Sequence, residues 1–291
     1  MIRLIGIDVD GTLLDSRGHL PPANRDAIFE AVAAGIHIAL VTGRSYPFAR
    51  PVADALPESI TLIVSSGAVE RSMDGAVLAR RLLDRRVAAS VLEATRPHRD
   101  HAALVFDRDE ANQIIFETMD WEHPGRKAYW LRNQHLIGQA VPLEGALVED
   151  PVEVMFNGAA AAMRLLTEAL RLDAGEFAVA LTEYVHRDFS LVDVTAPTAT
   201  KGQALAWRAE QLGLQRDEVM AIGDNFNDLE MLEYAGTAVV MAPVPLVRGA
   251  TLQASGWAGP AHNWLARDVS RFVFRESVNP VERSPPSRAV G

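Results

Sequence analysis

The sequence predicts an α/β protein, in which a parallel sheet carries its site along one edge and an α+β segment is inserted into the chain. Short apolar runs at Leu4–Ile7, Ile36–Val41, Leu62–Val64 and Glu218–Ile222 each end in small or acidic polar residues. Helical patterns alternate with them, from Pro22 to Gly35 and from Lys201 to Gly213. Between residues 83 and 186 the alternation gives way to mixed strands and helices.

The first run, Leu4-Ile5-Gly6-Ile7, stops at Asp8-Val9-Asp10-Gly11-Thr12. An apolar run of this length reads as a buried, parallel strand. Aspartate is poor in strand interiors, so Asp8 and Asp10 mark its carboxyl end, where open α/β sheets place their ligands. Continued strand geometry would put both carboxylates on one side and Val9 on the other, with Gly11 releasing the chain into a turn. Two carboxylates so close repel unless a cation or a shared proton relieves them. A hard dication with oxygen ligands, Mg2+ above all, meets that need. Asp-x-Asp-Gly alone reads equally well as a surface turn; the apolar residues on both sides argue against it.

Pro21-Pro22 then opens a helix with Ile28, Ala31 and Val32 on its apolar face and Gly35 as its stop. Ile36–Val41 is a second strand, ending in Thr42-Gly43-Arg44-Ser45, and Leu62–Val64 a third, ending in Ser65-Ser66-Gly67. In the inserted segment, Asp84–Thr95 and Ala160–Leu172 read as helices. Ala102–Phe106, Val152–Phe156, Phe177–Leu181 and Ser190–Val194 read as strands, and Ile114–Thr118 and Ala128–Leu131 as shorter mixed pieces. The α/β rhythm returns with a helix from Lys201 to Leu212 and a strand at Glu218–Ile222, which ends in Gly223-Asp224-Asn225-Phe226-Asn227-Asp228. A helix at Asp228–Tyr234, a strand at Thr237–Met241 and an amphipathic pattern at Asn263–Phe274 follow. The expected division is a discontinuous core, residues 1–82 and 187–275, an α+β domain, residues 83–186, and a fraying tail, residues 276–291.

Composition narrows the function. A chain of 291 residues with 48% hydrophobic content can build two cores. A net charge of −10 argues against a nucleic-acid or anionic-membrane partner, while leaving room for a local basic site that takes a small anion. The absence of cysteine excludes disulfides, a thiol nucleophile and Cys-ligated metal, and fits a cytoplasmic protein. The apolar start is broken by Asp8, too short for a signal peptide, and no stretch approaches the roughly 18 apolar residues that span a membrane.

Four polar clusters fall at strand ends or helix starts on one edge: Asp8 with Asp10; Thr42; Lys201; and Asp224 with Asn227 and Asp228. Each alone has a plainer reading, Lys201 as a solvated lysine, Thr42-Gly43 as a turn, and the Gly223–Asp228 stretch as an acidic helix cap. Together and in this order they resemble the haloacid dehalogenase superfamily of phosphohydrolases, in its Cof-type branch with a large cap. Asp8-Val9-Asp10-Gly11-Thr12-Leu13 resembles that family's first motif, Thr42-Gly43-Arg44 the second, Lys201-Gly202 the third, and Gly223-Asp224-Asn225-Phe226-Asn227-Asp228 the fourth. The resemblance runs to about Phe274, and the family places its second-type cap between motifs two and three, where the α+β segment lies.

The resemblance implies a Rossmann-like core with an inserted α+β cap. It implies a Mg2+-dependent phosphatase acting on a small-molecule phosphate ester, sugar phosphates first, through an aspartyl phosphate. Asp8 would be the nucleophile and Asp10 the acid and base, while Thr42, Gly43, Arg44, Lys201 and Asn227 would hold the phosphoryl oxygens. Asp8, the backbone carbonyl of Asp10 and Asp224 would bind Mg2+, with Asp228 supporting the metal shell. A phosphomutase using the same aspartyl phosphate and a non-enzymatic phospho-ligand module are the alternatives; a module would have no need of Asp10. Nucleic acid and membrane are not expected as partners, and a monomer or homodimer is. Two departures bear on substrate choice: Ser66-Gly67 stands where the family often has Asn-Gly, and Ser255–Pro260 replaces an acidic loop. His98, His101, His123 and His135 lack tight zinc-ligand spacing.

Overall fold

All five residues of Leu4–Asp8 are buried, the mark of a strand with neighbours on either side and cover above and below. The computed structural model describes residues 1–108, 111–172, 175–184, 188–241 and 251–252. The chain opens with β1 (Leu4–Asp8), α1 (Pro22–Ala33), β2 (His37–Val41), α2 (Tyr46–Ala53), β3 (Thr61–Val64), β4 (Val69–Ser72) and β5 (Val77–Arg80). The middle holds α3 (Arg85–Ala94), β6 (Ala102–Val105), β7 (Ile114–Phe116), α4 (Pro124–Asn133), β8 (Ile137–Gln139), β9 (Glu153–Gly158), α5 (Ala160–Leu172), β10 (Ala178–Tyr184) and β11 (Phe189–Thr195). Then follow α6 (Lys201–Gln211), β12 (Val219–Gly223), α7 (Leu229–Tyr234), β13 (Thr237–Val240) and β14 (Thr251–Leu252).

The first sheet has the order β14-β13-β12-β1-β2-β3-β4-β5. It is parallel from β14 to β3 and antiparallel beyond. Strand β1 pairs with β2 on one side and β12 on the other, so the strand order reverses at β1. Open α/β sheets bind ligands at the carboxyl ends beside such a reversal. In register, Ile7 lies opposite Leu40 and Ile222, which brings the ends of three strands to one place.

The second sheet has the order β10-β11-β9-β6-β7-β8 and is antiparallel except for β7 with β8. One face packs under α3 and α5 through Leu104, Phe156, Val192, Leu92 and Leu166. The other face shares the core of the first sheet through Ala103, Val105, Ile114 and Phe116. Strand β11 belongs to this sheet, paired with β9 and β10. The sequence boundary at residue 187 is therefore too early; the chain leaves the second sheet only after Thr195. Strand β11 is the second strand of a local antiparallel pair with β10 and also pairs with β9, which holds it in this sheet.

Further differences are local. The stretch Ala128–Leu131 lies inside the ten-residue helix α4, capped by His123, whose ring accepts from the Gly125 amide. Helix α2, the β4–β5 hairpin and β8 had no counterpart in the sequence reading. The Asn263–Phe274 pattern, the Ser255–Pro260 loop and the tail lie outside the described residues.

Phe156 has no exposed surface and sits at the centre of the second sheet's core. Phe156→Ala is expected to cost about 3–5 kcal/mol of stability through lost transfer energy and a cavity. A lowered urea midpoint with an unchanged denaturant slope would register it.

Candidate active site

Strand β1 ends at Asp8, and the chain turns through a single wide helical turn, Val9–Leu13, closed by Leu14 N donating to Val9 O at 3.0 Å. Gly11 has φ 89°, and a Cβ there would lie 2.3 Å from Asp224 Oδ2. Conformation and space thus both select glycine. The strand expected to carry both carboxylates ends at Asp8, and Asp10 lies in the turn that follows. Pleated alternation ends at Asp8; Asp8 stays buried, whereas Asp10 is exposed.

Asp8 faces Lys201, the first residue of α6. Lys201 Nζ donates to Asp8 Oδ1 and to Asp228 Oδ1, both at 2.6 Å. The three residues are 5%, 3% and 0% exposed for Asp8, Lys201 and Asp228, so this network sits in a low-dielectric setting where an unpaired charge would be costly. Burial pushes Asp8 up to about 7, against the pull of Lys201. Burial alone would push Lys201 down, but Asp8 and Asp228 more than reverse it and hold the ammonium above its ordinary value.

Asp228 is fixed from its other oxygen. Oδ2 accepts the backbone amides of Asp224 and Asn225, each at 3.0 Å, which shapes the loop after β12. Asp224 accepts from the Thr12 hydroxyl at 3.1 Å, and burial with the nearby Asp228 charge raises its pKa. Oxygens of Asp8, Asp224 and Asp228 all lie within 4.8 Å of one another. Hard carboxylate donors outnumber the single ammonium three to one, a surplus that one dication cancels, so the residues present fit Mg2+. Asp228 spends its hydrogen-bonding oxygens on Lys201 and the loop, and the Asp10 side chain is turned to Arg44. Asp8 and Asp224 are the side chains best placed as ligands.

The loop after β2 supplies the other wall. Thr42 is buried, and its Oγ1 accepts from the Arg44 amide at 3.1 Å. That bond leaves the hydroxyl proton to be donated elsewhere. Gly43 is exposed beside Ser66, whose Oγ would lie 3.4 Å from a Cβ at that position. Ser65, Ser66 and Gly67 have φ of 49°, 55° and 102°, a run of left-handed residues. A Cβ on Gly67 would lie 2.3 Å from the Thr200 carbonyl oxygen, so this loop abuts the start of α6. Arg44 forks onto Asp10, with Nε to Oδ2 at 2.8 Å and Nη2 to Oδ1 at 2.6 Å. It was expected among the phosphate-holding groups; here its fork takes the other carboxylate of the first motif. Asn227 is exposed in the Phe226–Asp228 turn that leads into α7.

The second sheet approaches this edge through α4, whose Tyr129 ring lies 6.1 Å from Phe48 of α2. Met155 on β9 packs against the shared core, and Glu153 and Asp193 flank it on the same face. Both keep some accessible surface, yet desolvation raises both carboxyls, Asp193 to about 7. Burial and the neighbouring Glu153 push Tyr129 up to about 12. Sequence reasoning missed Thr12 and Phe48 as site residues. The position of Thr12 within the first motif was the available signal for the former; nothing local marks the latter.

The carboxylate-and-lysine cluster lies at the reversal point of a parallel sheet, where open α/β folds place their ligands. The sequence model of the haloacid dehalogenase-like hydrolases matches residues 5–244, and the chain belongs to that family of enzymes. Among relatives, the chain is 28% identical over 242 residues to the 5-amino-6-(5-phospho-D-ribitylamino)uracil phosphatase YcsE of Bacillus subtilis, covering 82% of this chain and 84% of that one. It is 27% identical over 249 residues to the pyridoxal phosphate phosphatase YbhA of Escherichia coli, covering 82% and 87%. Among solved structures, a haloacid dehalogenase-like hydrolase from Bacteroides thetaiotaomicron superposes with a TM-score of 0.73 at 22% identity, covering 94% of this chain and 100% of that one.

Removing the ammonium from between its two carboxylates tests the electrostatics. Lys201→Met is expected to cost about 3–5 kcal/mol of stability in chelator, since two buried carboxylates lose their partner. Added Mg2+ should restore part of it. An unchanged urea midpoint would mean that something other than Lys201 relieves the carboxylates.

Proposed function

We propose that the protein is a Mg2+-dependent phosphomonoester hydrolase that works through an aspartyl phosphate on Asp8. The observation that carries the reading is the buried Asp8 held 2.6 Å from Lys201 at the sheet reversal, with Asp224 and Asp228 beside it. A carboxylate kept beside a fixed cation can approach a phosphate dianion that would otherwise repel it. Bound through Asp8, Asp224 and the Asp10 carbonyl, Mg2+ would supply further neutralisation of phosphoryl charge.

Thr42, through its hydroxyl proton, and the amides beside it hold the equatorial oxygens together with Lys201, and Asn227 reaches them from the loop after β12. Asp8 Oδ forms the bond to phosphorus as the ester P–O bond breaks. The proton on Asp10 passes to the departing bridging oxygen. Asp10, now a carboxylate, takes a proton from the water that attacks phosphorus, which releases phosphate and restores Asp8.

The second sheet is the cap in this reading. Among the described residues the core then comprises 1–82, 196–241 and 251–252, and the cap those between 83 and 195, with Tyr129 of α4 against Phe48 of α2. Closure would exclude water and let cap side chains choose the leaving group. The names of the two relatives, phosphatases of a phosphoribitylamino-uracil and of pyridoxal phosphate, support a small phosphate ester as substrate, and sugar phosphates are the first class to try.

Phosphate release from para-nitrophenyl phosphate and a sugar-phosphate panel, with and without Mg2+, tests the reading. Turnover should need Mg2+ and fall to background in Asp8→Asn. Asp10→Asn should lower kcat about 10²–10⁴-fold on alkyl phosphates. Isomerised product without net phosphate release would point to a mutase, and turnover surviving in Asp8→Asn would remove the nucleophile assigned here.

A further inference from the structure

The contact between Arg44 and Asp10 goes beyond this reading and rests on it. Both carboxylate oxygens of Asp10 accept from the guanidinium, at 2.8 and 2.6 Å. A general acid needs a proton on one of those oxygens, aimed at the leaving group. The fork points N–H bonds at both oxygens, so a carboxyl proton there would face another donor. The arrangement therefore suits a resting enzyme and must open before Asp10 can act.

The guanidinium is also placed to leave. Its side chain is 31% exposed and that of Asp10 55%, in contrast to the buried Lys201 pair. Its own backbone amide sits on Thr42 Oγ1, beside the groups assigned to the phosphoryl oxygens. Nη1 donates to the Phe48 carbonyl at 3.3 Å, so the arm is tethered to α2 where Tyr129 approaches. A planar fork that fits a carboxylate fits a phosphate dianion equally well.

We infer that Arg44 is an exchange residue, holding Asp10 as a carboxylate out of action in the empty site and transferring its fork to the phosphoryl group when the substrate arrives, which frees Asp10 to take up a proton from solvent and pass it to the departing oxygen. Acid catalysis is thereby armed by the anion it serves. Arg44 contacts the part common to all substrates, and Asp10 the part that differs.

The test is a leaving-group comparison. Arg44→Ala and Arg44→Lys are assayed with para-nitrophenyl phosphate, whose leaving group departs without protonation, and with an alkyl phosphate, whose leaving group needs it. Exchange predicts that Arg44→Ala raises KM about ten- to hundredfold for both, with the ratio of the two kcat values unchanged and Arg44→Lys in between. A kcat loss confined to the alkyl phosphate would overturn the inference, because it would make Arg44 a fixed orienter of Asp10. Unchanged KM for both would overturn it as well. A crystal structure with orthovanadate and Mg2+ reads the exchange directly: the fork should lie on vanadate, and a fork still on Asp10 contradicts it. Asp8→Asn, run alongside, reports on the underlying nucleophile and not on the exchange.

Discussion

One ammonium group sets the terms for the rest of the site. Lys201 lies between Asp8 and Asp228 at 2.6 Å from each, out of contact with bulk water. In the proposed mechanism Asp8 acts on phosphorus as a carboxylate, while its burial favours the neutral acid and lifts it to about 7. Only a cation fixed beside it works against that tendency. The position of Lys201 depends in turn on Asp228, which is locked by the amides of the loop after β12. The register of β1 against β12 brings that loop to Asp8. A slip in this pairing would move the cation away from the carboxylate it serves.

The two aspartates of the first motif meet opposite physics, Asp8 at the end of β1 and Asp10 two residues on, inside the turn. Asp8 is paired in the interior, where separating a charge from its partner is expensive. Asp10 is paired at the surface, where an ion pair contributes about 0–1 kcal/mol and can be exchanged. On the proposed roles, this difference in burial gives the nucleophile a fixed cation and the acid an exchangeable one. The turn that carries Asp10 needs Gly11, because Asp224 fills the space a side chain would take.

Much of this was legible in the chain. Apolar runs that stop at polar residues announced β1, β2, β3 and β12, because a parallel strand buried on both faces has no room for polar residues until it reaches the edge. Asp8, Thr42 and Asp224 stood out for that reason, and Lys201 and Asp228 at helix starts through their place in the set of motifs. Their pairings did not. Which carboxylate receives Lys201 and which receives Arg44 is decided by the backbone path after Asp8, and the pleat assumed from the sequence does not continue there. Helix α2 was hidden by Pro47 and Pro51. Strand β4 was hidden by Glu70 and Arg71, charges that find Arg208 and Asp107 only in three dimensions. Strand β11 was read among the strands of the inserted segment, and it pairs there with β9 and with β10, its neighbour in sequence.

The most direct test of the account is to catch the phosphoryl group on Asp8. The Mg2+-loaded enzyme, turning over a phosphate ester, is quenched in acid and the acyl phosphate reduced with borohydride before the Leu4–Arg17 peptide is sequenced by mass spectrometry. The account predicts homoserine in place of Asp8 and an unmodified Asp10. Phosphate release with Asp8 intact, or reduction at a different carboxylate, would contradict it.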